Sequence, residues 1–132
     1  MKVIDKLAWI EIQDKTILST RSKGKDTYYI PGGKREIGET DIQALTREIK
    51  EELSVDLIED SIQFLGIFTG QAHGHSEGIQ VKMQCYTSHF TGILQPAAEI
   101  EKMVWLCFED IKKVSPVDKI IFQWLKERNL IN

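Results

Sequence analysis

The sequence predicts a single domain of mixed α and β structure. Its 132 residues are enough to bury a sizeable core within one domain. Residues 40–55 place apolar side chains at helical spacing, whereas other segments alternate apolar and polar side chains as strands do. Repeats, low-complexity tracts and linkers do not occur in the sequence, so we expect residues 1–132 to form one domain.

Composition excludes several classes of protein. Seventeen Lys and Arg against twenty Asp and Glu give a net charge of −3, which argues against binding to duplex nucleic acid. No run approaches the roughly 18–20 apolar residues of a membrane span, and the N-terminus has no signal-peptide core. Cys85 and Cys107 lie far apart and outside any metal motif, which predicts reduced thiols in a cytoplasmic protein.

Before the predicted helix, the chain is expected to form strands. Residues 3–13 carry apolar side chains at both parities, as in a central strand covered on both faces. The pair Asp14-Lys15 makes a tight connection to a second strand. The other segments of this part are that second strand at 16–20, a polar loop at 21–26, a short strand at 28–30 and a glycine turn at 31–33.

After the predicted helix and a link at 56–60, three further strands and a final helix are expected. Pro116 favours the first turn of that helix, whose apolar face has Ile120, Ile121, Trp124 and Leu125. The segments before it are strands at 63–69, 79–90 and 103–108, loops at 70–78 and 92–98, and a short helix at 109–113.

The chain is organised around residues 33–55, GKREIGETDIQALTREIKEELSV. Thr40, with Gln43 three residues later, forms a capping box and marks the start of a helix. Glu48, Glu51 and Glu52 cluster on an arc of this helix that faces away from its apolar stripe, so we expect them outside the core. The stripe consists of Ile42, Leu45, Ile49 and Leu53.

Three carboxylates on one helical face repel each other by roughly 0.2–0.5 kcal/mol per pair. A divalent cation that joins them offsets this repulsion, and oxygen ligands suit Mg²⁺ or Mn²⁺. A solvated acidic face is the alternative that the helix alone allows. The upstream turn, Pro31-Gly32-Gly33-Lys34, favours the cation because glycines let the backbone approach a ligand closely.

This pattern resembles the Nudix box, G-x5-E-x7-R-E-U-x-E-E-x-G-U, in which U is a bulky aliphatic residue. Ser54 stands where the family has glycine, at the end of the helix, where a left-handed residue is often required. The resemblance implies an α/β/α sandwich, with a mixed β-sheet between the box helix and a C-terminal helix. The matching residues are Gly33, Glu39, Arg47, Glu48, Ile49, Glu51, Glu52 and Val55.

The resemblance also implies a metal site. Glu48 and Glu52 are one helical turn apart and are expected to bind Mg²⁺, with Mn²⁺ as the alternative. Glu51 is expected to complete the site, and the carbonyl group of Gly32 to supply a further ligand. The residues alone leave open which carboxylate is the general base.

Other residues are expected to act beside the metal. Arg47 and Glu39 orient the ligand carboxylates, and Glu99, in the loop before the strand at 103–108, is a candidate fourth ligand or general base. Gly33 and Lys34 are expected to contact the substrate phosphates, with an exposed loop position as the alternative for Lys34.

The implied activity is Mg²⁺-dependent hydrolysis of a phosphoanhydride bond in a small nucleotide. The few residues before the first strand favour a free or modified (d)NTP, cleaved to the monophosphate and pyrophosphate. ADP-ribose or a nucleotide sugar is the alternative substrate. A nucleotide-binding module without turnover is the alternative function, although every box carboxylate is present. We expect a monomer or a homodimer.

Several side chains are candidates for contacting the nucleotide. Its base is expected to stack on Tyr28, Tyr29 or Phe68, and the basic loop at 21–25 is a candidate contact for its phosphates. His73 and His75 are expected to border the cleft. A zinc site formed by His73, His75 and His89 is disfavoured because cysteine ligands at zinc spacing do not occur.

Overall fold

Residues 2–132, which the computed structural model describes, form β-sheets packed between two α-helices. The strands are β1 (Val3–Trp9), β2 (Ile12–Gln13), β3 (Thr16–Ser22), β4 (Gly32–Gly33), β5 (Asp56–Leu57), β6 (Gln63–Gln71), β7 (Gln80–Thr87), β8 (Phe90–Thr91) and β9 (Ile100–Leu106). The helices are α1 (Asp41–Leu53) and α2 (Pro116–Glu127), with short 3₁₀ helices at Glu59–Ser61 and Phe108–Lys113.

The larger sheet has the strand order β4-β1-β7-β6. Strands β1 and β7 run parallel, whereas β4 and β6 run antiparallel to their neighbours. A second, antiparallel sheet has the order β2-β3-β9, and β5 pairs with β8. Helix α1 packs on β1, β4 and β5, while α2 packs on β6. A mixed sheet between two helices confirms the predicted α/β/α sandwich.

Side chains of β1 enter two separate cores because successive residues of a strand point to opposite faces. Leu7 and Trp9 are buried in the core that α1 covers. Ala8 and the following Ile10 are buried in the core that α2 covers. Apolar side chains at both parities therefore mark a central strand, as predicted.

The start of α1 follows the predicted signal. The Gln43 backbone N–H donates to the Thr40 hydroxyl oxygen (3.2 Å), and the Thr40 N–H donates to the Gln43 side-chain oxygen (3.0 Å). These two bonds form the capping box that the sequence predicts. Leu45, Ile49 and Leu53 are completely buried, as expected of the apolar stripe.

Several predicted segments are wrong in part. The glycine turn expected at 31–33 contains β4, and the strand expected at 79–90 ends at Thr87. The strand expected at 3–13 breaks after Trp9, and β2 then joins the second sheet through β3. Residues 28–30 form isolated bridges and no strand. The link expected at 56–60 contains β5, which pairs with β8. Pairings of one or two residues lack the run of alternating side chains that marks a strand in a sequence.

The two cysteines are free thiols, with Cys85 buried and Cys107 half-buried. Burial raises the pKa of the Cys85 thiol, which keeps it protonated at neutral pH. No helix within residues 2–132 combines the length and the hydropathy needed to cross a membrane.

Ser54→Gly is expected to leave stability unchanged or to raise it by up to about 1 kcal/mol. Ser54 ends α1 in the left-handed region, with φ 66° and ψ 18°, a conformation that glycine adopts without steric cost. The loss of the hydrogen bond from the Ser54 hydroxyl to the Gln95 carbonyl (3.1 Å) limits the gain. Urea midpoints at unchanged m-value measure the effect.

Ser54→Ala is the matched control for this prediction. Alanine also loses the hydroxyl but keeps the Cβ that the left-handed conformation disfavours. The glycine variant should therefore be more stable than the alanine variant by about 1 kcal/mol. Equal midpoints for the two variants would contradict the proposed role of the backbone conformation.

Candidate active site

Helix α1 presents two of its carboxylates to the glycine pair of β4. The carboxyl group of Glu48 lies directly against Gly33, where a Cβ atom would overlap it. Gly32 has a φ of 152°, and a Cβ there would overlap the backbone of Leu7 on β1. Position 32 therefore requires glycine, whereas a Cβ at position 33 would displace the Glu48 carboxyl group from its place against β4.

Glu52 is buried beneath this glycine pair, and only 8% of its surface is exposed. Its Oε1 accepts a hydrogen bond from the Gly32 N–H (3.1 Å). Burial raises the pKa of Glu52 to about 8, and the nearby charges of Glu48, Glu99 and Glu51 act in the same direction. The expectation that Glu52 lies outside the protein interior is wrong, because β4 covers this face of the helix.

Arg47 connects the carboxylates to the loop before the helix. It donates to both oxygens of Glu39 (2.8 and 2.9 Å) and to Oε1 of Glu48 (2.7 Å). It also donates to the backbone carbonyl of Lys34 (3.1 Å). The hydrogen bonds from Arg47 lower the pKa of Glu39 to about 2. These contacts hold the Glu48 carboxylate in one orientation.

The other two candidate carboxylates lie at the edge of the site. Glu51 is 53% exposed, and its Oε1 lies 3.5 Å from a guanidinium nitrogen of Arg47. Glu99 is exposed in the loop before β9, and its charge raises the pKa of both Glu48 and Glu52. The structure therefore brings Glu48, Glu51, Glu52 and Glu99 into one electrostatic environment.

The donor set suits a hard divalent cation, although a rearrangement is required. As they stand, no three His, Cys, Asp or Glu side chains of residues 2–132 are grouped closely enough to hold a metal ion. Glu48 is directed at Arg47, and Glu52 at the Gly32 N–H. Oxygen ligands of this kind fit Mg²⁺ or Mn²⁺ once Glu52 turns toward an ion beside Oε2 of Glu48, the oxygen that Arg47 does not contact.

Three adjoining cavities begin at Glu52 and extend away from the other carboxylates. A cleft of about 200 Å³ borders Glu52 and both glycines of β4. It shares Lys6 and Tyr29 with a cavity of about 90 Å³. A third cavity, of about 350 Å³, shares Tyr29 with both and is formed by the loops at 22–27 and 73–74. The residues around the 90 Å³ cavity include Ile4, Gln71, His73, Val81, Met83 and Ser115.

Several predicted substrate contacts lie elsewhere. Of the three candidate aromatic residues, Tyr29 lines the cavities, whereas Phe68 is in the core against Trp124, with ring centroids 5.6 Å apart. Tyr28 lies under the Arg21 guanidinium (5.9 Å) and lines none of the three cavities. Position along the chain does not show which face of a strand or loop borders a cleft.

The basic side chains differ in their availability for phosphate. Arg21 forms an ion pair with Glu101 (2.7 Å) and is thereby held away from the cleft. Lys25 lines the 350 Å³ cavity, and Lys34 is exposed next to Gly33. Lys34 and Lys25 therefore remain candidates for contacting phosphate.

The three histidines do not lie together. His73 and His75 line the 90 Å³ cavity, as expected of residues that border the cleft. The Nε2 atom of His73 is 3.3 Å from the Thr27 hydroxyl, so it joins the two loops of the cavity mouth. His89 lies in a separate cavity with Glu11 and Gln63.

The sequence analysis missed two charged residues beside the cleft. Lys6 of β1 lines two of the cavities, and Asp118 of α2 is completely buried next to it. Oδ2 of Asp118 accepts the Ile30 N–H (2.8 Å), while Oδ1 has no hydrogen-bond partner. Lys6 occupies a position of its strand at which the alternation of side chains places apolar residues before and after it, so the sequence contained a signal that could have identified it. Asp118 is indistinguishable in sequence from an ordinary acidic residue of a first helical turn.

The free energy of unfolding is expected to fall as pH rises from about 4 to about 7, and Asp118→Asn should make this fall smaller. Burial raises the pKa of Asp118 to about 7, whereas an unfolded chain has a value of about 3.9. Across this window the folded protein holds a proton that the unfolded chain has released, so stability falls as pH rises. Asparagine does not ionise and still accepts the Ile30 N–H.

Urea midpoints at both ends of this pH window test the effect. The exposed carboxylate Asp56, which pairs with Lys50 (3.2 Å), provides the control variant Asp56→Asn. The control should keep the wild-type fall in stability, and Asp118→Asn should show a smaller one. An equal fall in both variants would contradict a buried, protonated Asp118.

The chain matches the family model of the NUDIX domain over residues 7–125. It is similar to the ORF135 protein of E. coli, with 26% identity, coverage of 97% of this chain and 92% of that chain, and a TM-score of 0.74. A comparison with curated proteins finds no match.

Two MutT proteins have the same fold. The MutT protein of Methanosarcina mazei is 16% identical, with 97% and 96% of the two chains covered and a TM-score of 0.75. The MutT NUDIX hydrolase of Burkholderia pseudomallei is 22% identical, with 83% and 86% covered and a TM-score of 0.67. At these identities the likeness concerns the fold alone.

Proposed function

The chain belongs to the Nudix family of nucleotide pyrophosphohydrolases, and we propose that it hydrolyses a free or modified (d)NTP to the monophosphate and pyrophosphate with Mg²⁺. One observation carries this proposal. The cleft beside Glu52 and the glycines of β4 continues, past Tyr29, into a small cavity that has both apolar and polar side chains in its walls. A nucleotide has the same order of parts, with phosphates at one end and a planar base at the other.

The carboxylates are proposed to hold the metal beside the phosphates. Glu48 and Glu52 bind it, with Glu51 and the carbonyl of Gly32 completing the site. When bound, a divalent ion neutralises phosphate oxygens and lowers the pKa of a coordinated water. Because the pKa of Glu52 is about 8, this carboxyl group would have to be deprotonated to hold a metal ion, so metal affinity is expected to rise with pH.

The remaining roles follow from position. Arg47, bonded to Glu39 and Glu48, keeps the Glu48 carboxylate oriented. Glu99 is our candidate for the general base, because it is exposed to solvent and close enough to affect Glu48 and Glu52. Lys34 approaches phosphate oxygens from the exposed side of the turn.

The 90 Å³ cavity is proposed to receive the base. Its walls include Ile4, Val81 and Met83, with the Tyr29 ring at the junction with the cleft. Ser115 also lines this cavity, and its buried hydroxyl lies close to the Asp118 carboxyl group at the start of α2.

A side-by-side comparison of kcat/KM tests the substrate. The panel consists of (d)NTPs, 8-oxo-dGTP, ADP-ribose and nucleotide sugars, each with Mg²⁺, Mn²⁺ or EDTA. We expect a (d)NTP or its modified form to be preferred by at least about tenfold, which is about 1.4 kcal/mol in the transition state. EDTA should abolish turnover.

Other outcomes of this panel separate the alternatives. A tenfold preference for ADP-ribose or a nucleotide sugar (again about 1.4 kcal/mol) would reject the triphosphate and leave the family assignment intact. Nucleotide binding without turnover of any compound would instead indicate a binding module.

A further inference from the structure

Lys6 is a lysine at an inward-facing position of a central strand. It shares the parity of Ile4 and Ala8 on β1, whose side chains belong to the core under α2. On β7 its partner is Met83, which is also buried in that core. A lysine rarely occupies such a position unless its charge has a use, because burial penalises the charged form.

The position of Lys6 is the junction of two cavities. Lys6 lines both the cleft beside Glu52 and the 90 Å³ cavity. A nucleotide with its base in the 90 Å³ cavity and its outer phosphates at the carboxylates would have its middle part beside Lys6. The sugar and the phosphate attached to it lie between those two ends of a nucleotide, and of these two parts only the phosphate is anionic and attracts an ammonium group.

The charge of Lys6 is not neutralised by a direct contact in residues 2–132. Burial and then the charge of Lys34 lower the pKa of Lys6, whereas Asp118, Glu52 and Glu48 act in the opposite direction without forming an ion pair with it. The carboxylate of Asp118 accepts the Ile30 N–H, and that of Glu52 accepts the Gly32 N–H. The three donors of the ammonium group are therefore free for an anionic oxygen of a ligand.

We propose that the Lys6 ammonium binds the phosphate attached to the nucleoside, so that Lys6 recognises the nucleoside 5′-monophosphate part of every substrate. This inference rests on the proposed function in one respect, the entry of the base into the 90 Å³ cavity. Lys6 is then distinct from Lys34, which lies at the exposed end of the glycine turn and faces the outer phosphates.

Calorimetric titration of the full chain tests the contact without turnover. The probes are AMP, GMP, CMP and UMP and the four corresponding nucleosides, all in EDTA. Lys6→Met keeps the length of the side chain and removes its charge. We expect it to raise Kd for all four monophosphates by about tenfold or more and to leave Kd for the nucleosides unchanged.

Two further variants complete the experiment. Lys82→Met removes a lysine from the neighbouring strand β7, at the position paired with Asp5 and on the opposite face of the sheet from Lys6; it should bind all probes as the wild type does. Lys6→Arg keeps the positive charge and should restore monophosphate affinity to within about threefold. Circular dichroism confirms that each variant is folded.

Each contrary result overturns the assignment. Unchanged monophosphate affinity in Lys6→Met would show that Lys6 does not contact the phosphate, and a loss confined to one base would show that it contacts the base. Wild-type protein that binds monophosphates no more tightly than nucleosides would overturn it as well. Because these probes are not hydrolysed, a preference for ADP-ribose in the substrate panel would not affect this result.

Discussion

Glu52→Gln is expected to abolish turnover and, at the same time, to stabilise the metal-free protein at alkaline pH. The carboxylate is a proposed metal ligand, and removal of one ligand should cost several kcal/mol of transition-state stabilisation. Less than about a tenth of the wild-type kcat/KM should therefore remain. The fold should persist, because the amide oxygen can still accept the Gly32 N–H that Glu52 accepts.

The effect on stability follows from the raised pKa of Glu52. Burial raises this pKa to about 8 in the folded protein, whereas the unfolded value is about 4.3. Between these values the unfolded chain has released a proton that the folded protein retains, so wild-type stability falls as pH rises. Glutamine does not ionise. The variant should therefore be more stable than the wild type by roughly 1–3 kcal/mol at about pH 9 in EDTA, and equal to it near pH 4.

Two measurements and one control decide this prediction. Steady-state kinetics with Mg²⁺ measures turnover, and urea unfolding in EDTA at the two pH values measures stability. Glu59→Gln, at an exposed position of a 3₁₀ helix, should change neither. If Glu52→Gln retained more than about a tenth of the wild-type kcat/KM, Glu52 would not be a metal ligand, because the loss of a ligand should not allow that residual activity. A variant less stable at alkaline pH would contradict its buried protonated state.

Arg47→Lys is expected to reduce kcat/KM by about tenfold or more although the positive charge is conserved. Arg47 donates to Glu39 through two nitrogens and also to Glu48 and the Lys34 carbonyl. A lysine ammonium is a point charge and does not reproduce this planar fork. Glu48 should then lose its fixed orientation, so the concentration of Mg²⁺ needed for half-maximal activity should rise as well.

Arg35→Lys is the matched control for Arg47→Lys. Arg35 lies in the loop before α1, and its partners are Asp41 (2.7 Å) and Asp5 (3.3 Å), away from the carboxylates of the site. We expect this control to stay within about threefold of wild-type kcat/KM. Arg47→Lys activity within the same range, at an unchanged Mg²⁺ requirement, would show that Arg47 is dispensable for orienting Glu48.

Local sequence patterns predicted the part of the structure that depends on local geometry. The capping box of Thr40 and Gln43 and the stripe ending in Leu53 located α1 because the helical repeat is a property of the backbone itself. The same repeat placed Glu48 one turn before Glu52. Fixed spacing within a helix fixes the relative positions of its side chains, so the group of carboxylates was identifiable before the fold.

The depth of each side chain depended on what packs against it. The helical repeat places Glu52 opposite the apolar stripe, but β4, which follows β3 by a long loop, lies over that face and buries it. Tyr28, Tyr29 and Phe68 were equivalent in sequence, and only the packing of the loops and α2 left Tyr29 beside the cavities.

By itself, therefore, the sequence determined the box helix, its capping residues, the order of its carboxylates and the family to which the chain belongs. Only the tertiary structure decided that Glu52 is buried, that Lys6 stands at the junction of two cavities, and that Asp118 of α2 lies near Lys6 of β1. The physical reason is that burial and cavities arise between segments far apart in the chain. No periodicity within one segment contains information about the surface that another segment covers.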